Sequence, residues 1–265
     1  NSISIKKNNV LSIYNSGQLK SVKFKDNISK YNLVVVCVGN NADLIKNLFK
    51  DRIIENSYGE LAITTILRHN ALKNNTVRQF FFKNEILALL PLSNNKTSIV
   101  WITKNHIKKN DILLIKKKIK NYLTGYLKNI KFSDSFKYKD LKFIIINKYY
   151  LDRTLLFGDA LHVIHPFVGQ GFNMTLRDLE NLENILRKKV DLGLDIGSSD
   201  VLNEFSKKVK VNNFIFSVGV DLLKSSFSVE NKYFKNIRNN LLKNLNKSTF
   251  AKNKFFNIAD KGFNI

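Results

Sequence analysis

One segment constrains the fold of this chain more than any other: Phe157 to Asn173, FGDALHVIHPFVGQGFN. An apolar run, Thr154 to Phe157, leads straight into it. A pattern with Met174, Leu176, Leu179, Leu182, Ile185 and Leu186 at helical spacing follows it, over Asn173 to Val190. Strand, glycine turn and helix in that order form a unit of an α/β fold. The segment holds one of the two prolines, two of the four histidines and three of the eleven glycines. It has one acidic residue and no Lys or Arg, in a chain of formal net charge +23. A glycine-rich turn ahead of a helix offers backbone N–H groups and the positive end of the helix dipole. Gly169 and Gly171 let a flat or anionic ligand approach the backbone closely. Asp159 sits just past the strand end, where a carboxylate can accept hydrogen bonds from ligand hydroxyls. Pro166 fixes the chain direction. The segment reads as a ligand cradle.

The flanking sequence supplies sheets. Residues 2–6 and 10–14 read as short strands, and Leu19 to Phe24 alternates like a half-buried strand after a turn at Gly17. Leu33 to Val38 is a continuous apolar run, expected to form a strand buried on both faces, with Cys37 a small buried hydrophobe. Ala42 to Phe49 reads as a helix. Four strand-like runs follow: Glu60 to Arg68, Thr76 to Lys83, Ile86 to Leu92 and Ser98 to Thr103. Short Asn- and Ser-containing turns between them predict antiparallel pairing. Lys108 to Leu127 is expected to be a helix and Leu141 to Ile146 a strand. From Asp200 onward the pattern is helical. Its basic amphipathic part, Tyr233 to Leu245, reads either as a solvated helix packing one face or as a membrane-surface contact.

Composition excludes several classes. Apolar residues make up 44% of the chain, with 20 Phe and 9 Tyr, which is not a disordered composition. The single Cys rules out a disulfide framework and a Cys-based zinc site, and fits a reducing, cytoplasmic setting. No apolar run approaches the ~20 residues of a membrane-spanning helix, and the start is not a signal peptide. Lacking an initiator Met, the chain reads as a piece of something longer or as a processed product. The charge is scattered Lys among abundant Asn and Ile, with scarce Arg. That is the mark of an AT-rich genome rather than of a phosphate-reading surface, so no nucleic-acid partner is expected.

At Gly158-Asp159-Ala160, His162, Pro166, Gly169-Gln170-Gly171, Asn173 and Leu176-Arg177-Asp178 the chain resembles the second flavin-binding motif of the FAD-dependent aromatic-ring hydroxylases, the para-hydroxybenzoate hydroxylase class. Leu87 to Ser93 and Ser98 to Trp101 resemble the substrate-domain strands of the branch that hydroxylates ubiquinone precursors. The resemblance implies a Rossmann-like FAD-binding domain, incomplete at the N-terminus, and a mostly antiparallel substrate domain followed by C-terminal helices. It implies that Asp159 bonds the ribityl side of FAD and that Pro166 packs at the flavin face. Gly158 belongs to the same motif, and Gly169, Gln170, Gly171, Phe172 and Asn173 would line the isoalloxazine ring. His162 would be structural. The family's N-terminal G-x-G-x-x-G is absent from these 265 residues, and Val38 stands where the family has an Asp.

The domains expected are residues 1–50 (partial FAD-binding), 51–149 (substrate sheet), 150–195 (the FAD-binding return) and 196–265 (helical). The function implied is a monooxygenase that uses FAD, NAD(P)H and O2 on an aromatic, prenylated ubiquinone precursor. A peripheral place on the inner membrane face or in a biosynthetic complex goes with such a substrate. Two alternatives stay open: a non-catalytic remnant without stable FAD, and a related FAD-dependent prenyl-lipid reductase. No catalytic acid or base is assignable. Phe80 and Phe82 share one strand face and read either as sheet core or as a roof over the substrate ring. His162 and His165 could be zinc ligands, yet read better as structural. Arg177-Asp178 reads as a local ion pair or cap.

Overall fold

The computed structural model describes residues 3–39, 43–49, 53–71, 73–104, 107, 111–133, 135–166, 169–229 and 231–261. Strands β1 (Ser12–Ser16), β2 (Leu19–Lys23), β3 (Ile28–Tyr31) and β4 (Val34–Val36) precede helix α1 (Asp43–Phe49). Then come β5 (Ile53–Arg68), β6 (Arg78–Phe82), β7 (Glu85–Ser93), β8 (Lys96–Lys104), α2 (Ile112–Leu123), β9 (Lys131–Phe132) and β10 (Lys137–Ile146). Next are β11 (Tyr150–Leu151), β12 (Thr154–Leu156), a 3-10 turn at Gly158–Ala160 and β13 (His162–Val163). Helices α3 (Gly171–Asp191), α4 (Ser199–Ser228), α5 (Lys232–Lys247) and α6 (Thr249–Lys261) follow. The chain divides into two compact units. Unit one is residues 1–55, 143–223 and 231–265, and unit two is residues 56–142 and 224–230.

Unit two is built on antiparallel strands. β5 pairs β8 from Glu60↔Lys104 to Arg68↔Lys96, and β7 lies between β8 and β6. The β6–β7 turn places Asn84 at φ 57°, a conformation that Asn tolerates better than most residues. The register shift between Pro91 and Ser93 lets β7 carry a proline, which has no N–H to give the ladder. Alternation puts Ile99 and Trp101 of β8 on one face with Leu61, Ile63, Leu87 and Leu89. Ile115, Ile119 and Leu123 of α2 recur at a four-residue interval, form one stripe and cover that face. All three are 0% exposed, worth about 2 kcal/mol each. The Asp111 side chain caps α2 by accepting from the Leu114 N–H at 3.1 Å. Glu85 fastens α2 to the sheet by accepting from Tyr122 Oη at 2.6 Å, Trp101 Nε1 at 3.1 Å and Lys118 Nζ at 3.3 Å. Burial, then this bond and the Glu85 charge, push the Tyr122 hydroxyl well above its ordinary range.

Unit one holds two further small sheets. β1, β2 and β3 form a meander whose first turn uses Gly17 at φ 60°. β4 pairs in parallel with β12, at Val34↔Thr154, Val35↔Leu155 and Val36↔Leu156, and β11 lies on the other side of β12. β12 is buried throughout. Its core includes Ile45 and Phe49 of α1, Leu182 and Ile185 of α3, and Leu202, Phe205 and Val209 of α4. The last residues of β10 belong to this unit, and β13 pairs with them at Ile144↔Val163 and Ile145↔His162.

Several local expectations need correction. Residues 3–6 form no strand. The apolar run 33–38 is a strand only at Val34–Val36, with β12 alone beside it among the described residues. Val35 is therefore 39% exposed and Cys37 is exposed rather than buried. α2 is shorter than the pattern 108–127 suggests; residues 108–110 lie outside those described. β3, a short and largely polar strand, carries no apolar run to reveal it.

Candidate flavin cradle and the buried network behind it

The cradle grows out of β12. Phe157 continues it in extended conformation, and its N–H bonds the Val36 carbonyl at 3.0 Å. Gly158 then turns left-handed at φ 62°, which swings Asp159 outward into the 3-10 turn, where it is exposed. Ala160 and Leu161 fold back into the core at 1% and 0% exposure. β13 follows, and His165 is buried before the exposed Pro166. The Gly169 N–H reaches back to the Pro166 carbonyl at 3.3 Å, closing the loop ahead of α3. Phe167 and Val168 lie outside the described residues.

α3 starts at Gly171 with Gln170 as its cap residue, and Gln170 makes no side-chain capping bond to the helix. The Gln170 side chain instead accepts from Asn173 Nδ2 at 3.0 Å. No acidic residue stands in the first turn. The first N–H groups of a helix have no intrahelical partner. No acidic side chain of α3 itself thus offsets the positive end of this long helix. A Cβ built on Gly169 or Gly171 meets nothing within 4 Å, so the backbone here faces open space. Gly158 is different: a Cβ there would lie 3.5 Å from Thr175 Cγ2, so the turn and the start of α3 pack side by side. Thr175 also bonds the Gly171 carbonyl at 3.2 Å.

The structure thus brings Gly158 and Asp159 together with the α3 start, joins Pro166 to Gly169 by a hydrogen bond, and runs Gly169 and Gln170 into Gly171, Phe172 and Asn173 of α3. Phe172 is 70% exposed. This donor set fits a flavin. Backbone amides and the helix dipole suit a ring edge that gains negative charge, open backbone suits a flat ring, and an exposed carboxylate suits ribityl hydroxyls.

Phe80 and Phe82 lie on β6 of unit two. The Phe82 ring stacks on Tyr122 with centroids 4.1 Å apart, and Phe80 meets Tyr126 edge-on at 4.8 Å. Both rings therefore pack on the α2 side of the sheet. Phe81, on the opposite face, packs on Phe227 at 4.3 Å.

Behind the rim lies a buried polar network that sequence reasoning missed. His162 Nε2 bonds Asp178 Oδ2 at 3.2 Å, and Asn213 Nδ2 of α4 donates to the same oxygen at 2.9 Å. Their burial is near complete, at 4%, 2% and 5% exposure. Tyr149 joins them. Burial raises its hydroxyl well above the ordinary range, a hydrogen bond from Asn213 opposes that, and the Asp178 charge adds to it. Asp178 turns inward to these partners, whereas Arg177 lies over the Phe216 ring at 4.7 Å. Tyr149, His162 and Asn213 also line a mainly apolar cavity of about 370 Å³, with Ile54, Phe143 and Phe214 among its other walls.

Comparison with known proteins gives a family and a fold. Residues 55–191, just over half of the chain, match the family model described as the FAD binding domain. Ubiquinone hydroxylase UbiL of Rhodospirillum rubrum is 28% identical over 179 residues, which cover 64% of this chain and 41% of that protein. The mitochondrial ubiquinone biosynthesis monooxygenase COQ6 of Saccharomyces cerevisiae is 40% identical over 85 residues, 32% of this chain and 18% of that protein. The chain thus spans less than half the length of these relatives. Among solved structures, Klebsiella pneumoniae HpxO, complexed with FAD and uric acid, superposes with a TM-score of 0.71. The match covers 96% of this chain and 66% of that one at 13% identity, a likeness of fold. The chain belongs to the FAD binding domain family.

Proposed function

We propose that the protein works as a FAD-dependent aromatic-ring monooxygenase of ubiquinone biosynthesis, taking NAD(P)H, O2 and a prenylated aromatic substrate. The observation that carries this reading is the uncapped start of α3. It opens onto free space at Gly169 and Gly171, beside the exposed Asp159, in a chain of the FAD binding domain family. Similarity to ubiquinone hydroxylases supports the substrate class.

In this reading unit one carries the flavin and the unit two sheet serves the substrate. The N–H groups of Gly171, Phe172 and Asn173 would hold the ring edge that gains negative charge, and the dipole of α3 would favour that charge. Asp159 would accept from ribityl hydroxyls. Gly158 keeps the turn tight against Thr175, and Pro166 forms the rim. His162, Asp178 and Asn213 act indirectly, by locking β13, α3 and α4 into one arrangement. The chemistry supplied by flavin when bound is electron transfer from NAD(P)H and activation of O2. The substrate's prenyl group would favour a peripheral place on the inner membrane face or in a biosynthetic assembly.

The test is reconstitution of the purified chain with FAD, followed by NAD(P)H, a prenylated phenol and isotopically labelled O2. Labelled oxygen in the ring supports the proposal. NAD(P)H consumption with reduction of the lipid and no label would make the protein a reductase. FAD binding with neither reaction would leave a cofactor-binding domain without the activity.

A further inference from the structure

Helix α5 is unlike the other long helices. It has no buried residue and no acidic residue. It is well formed nonetheless: the Asn231 side chain caps it by accepting from the Tyr233 N–H at 2.9 Å. Tyr233, Ile237, Leu241 and Leu245 recur every four residues, with Phe234 beside them, so they share one face. That face is open: Tyr233 is 82% exposed, Ile237 58% and Leu241 59%. Lys232, Lys235 and Lys243 fall on the far side by the same spacing, and Lys247 flanks the face beside Tyr233. α6 continues the theme with Phe250 at 79% and Phe256 at 68% exposure, beside Lys252 and Lys254.

We propose that α5 lies in the surface of an anionic lipid bilayer, with the Tyr233–Ile237–Leu241 face among the acyl chains and its lysines on the phosphates. Charge decides the occupant. A helix with an apolar stripe whose only charged side chains are Lys and Arg238 complements a sheet of negative head groups, and Lys stems can bury their methylenes while the ammonium reaches up to phosphate. Tyr233 and Phe250 begin their helices as aromatic anchors at the level where such rings settle. Among the described residues no helix is long and apolar enough to cross a membrane, so the contact lies on the surface. The inference is independent of the flavin chemistry.

The experiment is co-sedimentation of the full chain with vesicles of phosphatidylcholine, alone or mixed with phosphatidylglycerol. Binding is expected to the mixed vesicles and to be weak on phosphatidylcholine alone, and salt should reduce it. Ile237→Glu with Leu241→Glu should abolish binding. Lys235→Gln with Lys243→Gln should weaken it about thirtyfold, at roughly 1 kcal/mol per lysine. Far-UV circular dichroism and thermal melting should not change, because the four substituted side chains are exposed. Equal binding by the glutamate variant would mean that net charge alone adsorbs the protein, and would overturn the proposal. So would failure to bind either vesicle. If the glutamate variant instead turns a dimer into a monomer on size exclusion, a second copy covers the face and the proposal is wrong.

Discussion

His162 Nε2 and Asp178 Oδ2 lie 3.2 Å apart with both side chains almost fully buried, sixteen residues apart in the chain. The same carboxylate accepts from Asn213, so one oxygen ties β13 and α3 to α4. Removing the acceptor leaves two buried donors without it. Asp178→Ala should therefore destabilise the fold by about 3 kcal/mol, and Asp178→Asn by less, since the amide oxygen can still accept. Urea denaturation checks both. The weakened α3 should also loosen FAD.

The cradle itself is predicted to separate binding from stability. Gly171→Ala places a methyl in open space at a helical position, so the melting temperature should hold or rise slightly. FAD affinity should nonetheless fall at least tenfold, because the methyl occupies the space of the ring. Gly158→Ala should behave differently. It forces a side chain into φ 62°, which costs about 1–2 kcal/mol, so stability and FAD binding fall together. Paired melting curves and flavin titrations distinguish the two variants.

Gly197 is a second position closed to side chains. A Cβ there would sit 1.9 Å from the Asn32 carbonyl oxygen and 2.5 Å from Arg153 Nη1. Its N–H bonds Asp195 at 3.0 Å, and Arg153 bridges Asp195 to the Asn32 carbonyl. Gly197→Ala must displace this junction and should cost about 2 kcal/mol or more. A drop in melting temperature is the expected outcome.

Acid should weaken the same junction. Hydrogen bonds from Arg153, and then from the Gly197 N–H, hold the Asp195 carboxyl below its ordinary value. A folded-state value below the unfolded one, about 3.9, stabilises the fold fully above that pH and loses the contribution as pH falls through the folded value. Asp195 is 44% exposed, so the effect is modest. Asp195→Asn should flatten part of the acid limb of stability against pH below about 4, while leaving neutral pH less stable than wild type.

The parts of the fold that were legible in the sequence are those written in local patterns. Thr154 to Phe157 and the helix from Gly171 read directly, because an apolar run, glycines at special conformations and helical periodicity all fall within one short window. The antiparallel strands read from alternation and Asn turns. Partnership did not. Val35 looks like a core residue until β4 is seen to have β12 alone beside it among the described residues. The polar start of β5, at Ile53 rather than Glu60, carries no apolar alternation. Asn213 sits 35 residues from Asp178, and no spacing rule links them. The face of Phe80 and Phe82 was legible, but its covering by Tyr126 and Tyr122 depends on where α2 docks.

The most direct test of the central claim is a titration of the purified chain with FAD, followed by flavin fluorescence and visible absorbance, for wild type and Gly171→Val. The account predicts saturable binding by wild type with a perturbed flavin spectrum, and none by a Gly171→Val protein that still melts cooperatively. Wild type that never saturates, or a Gly171→Val protein that binds equally well, would contradict the assignment of the α3 start as the flavin cradle.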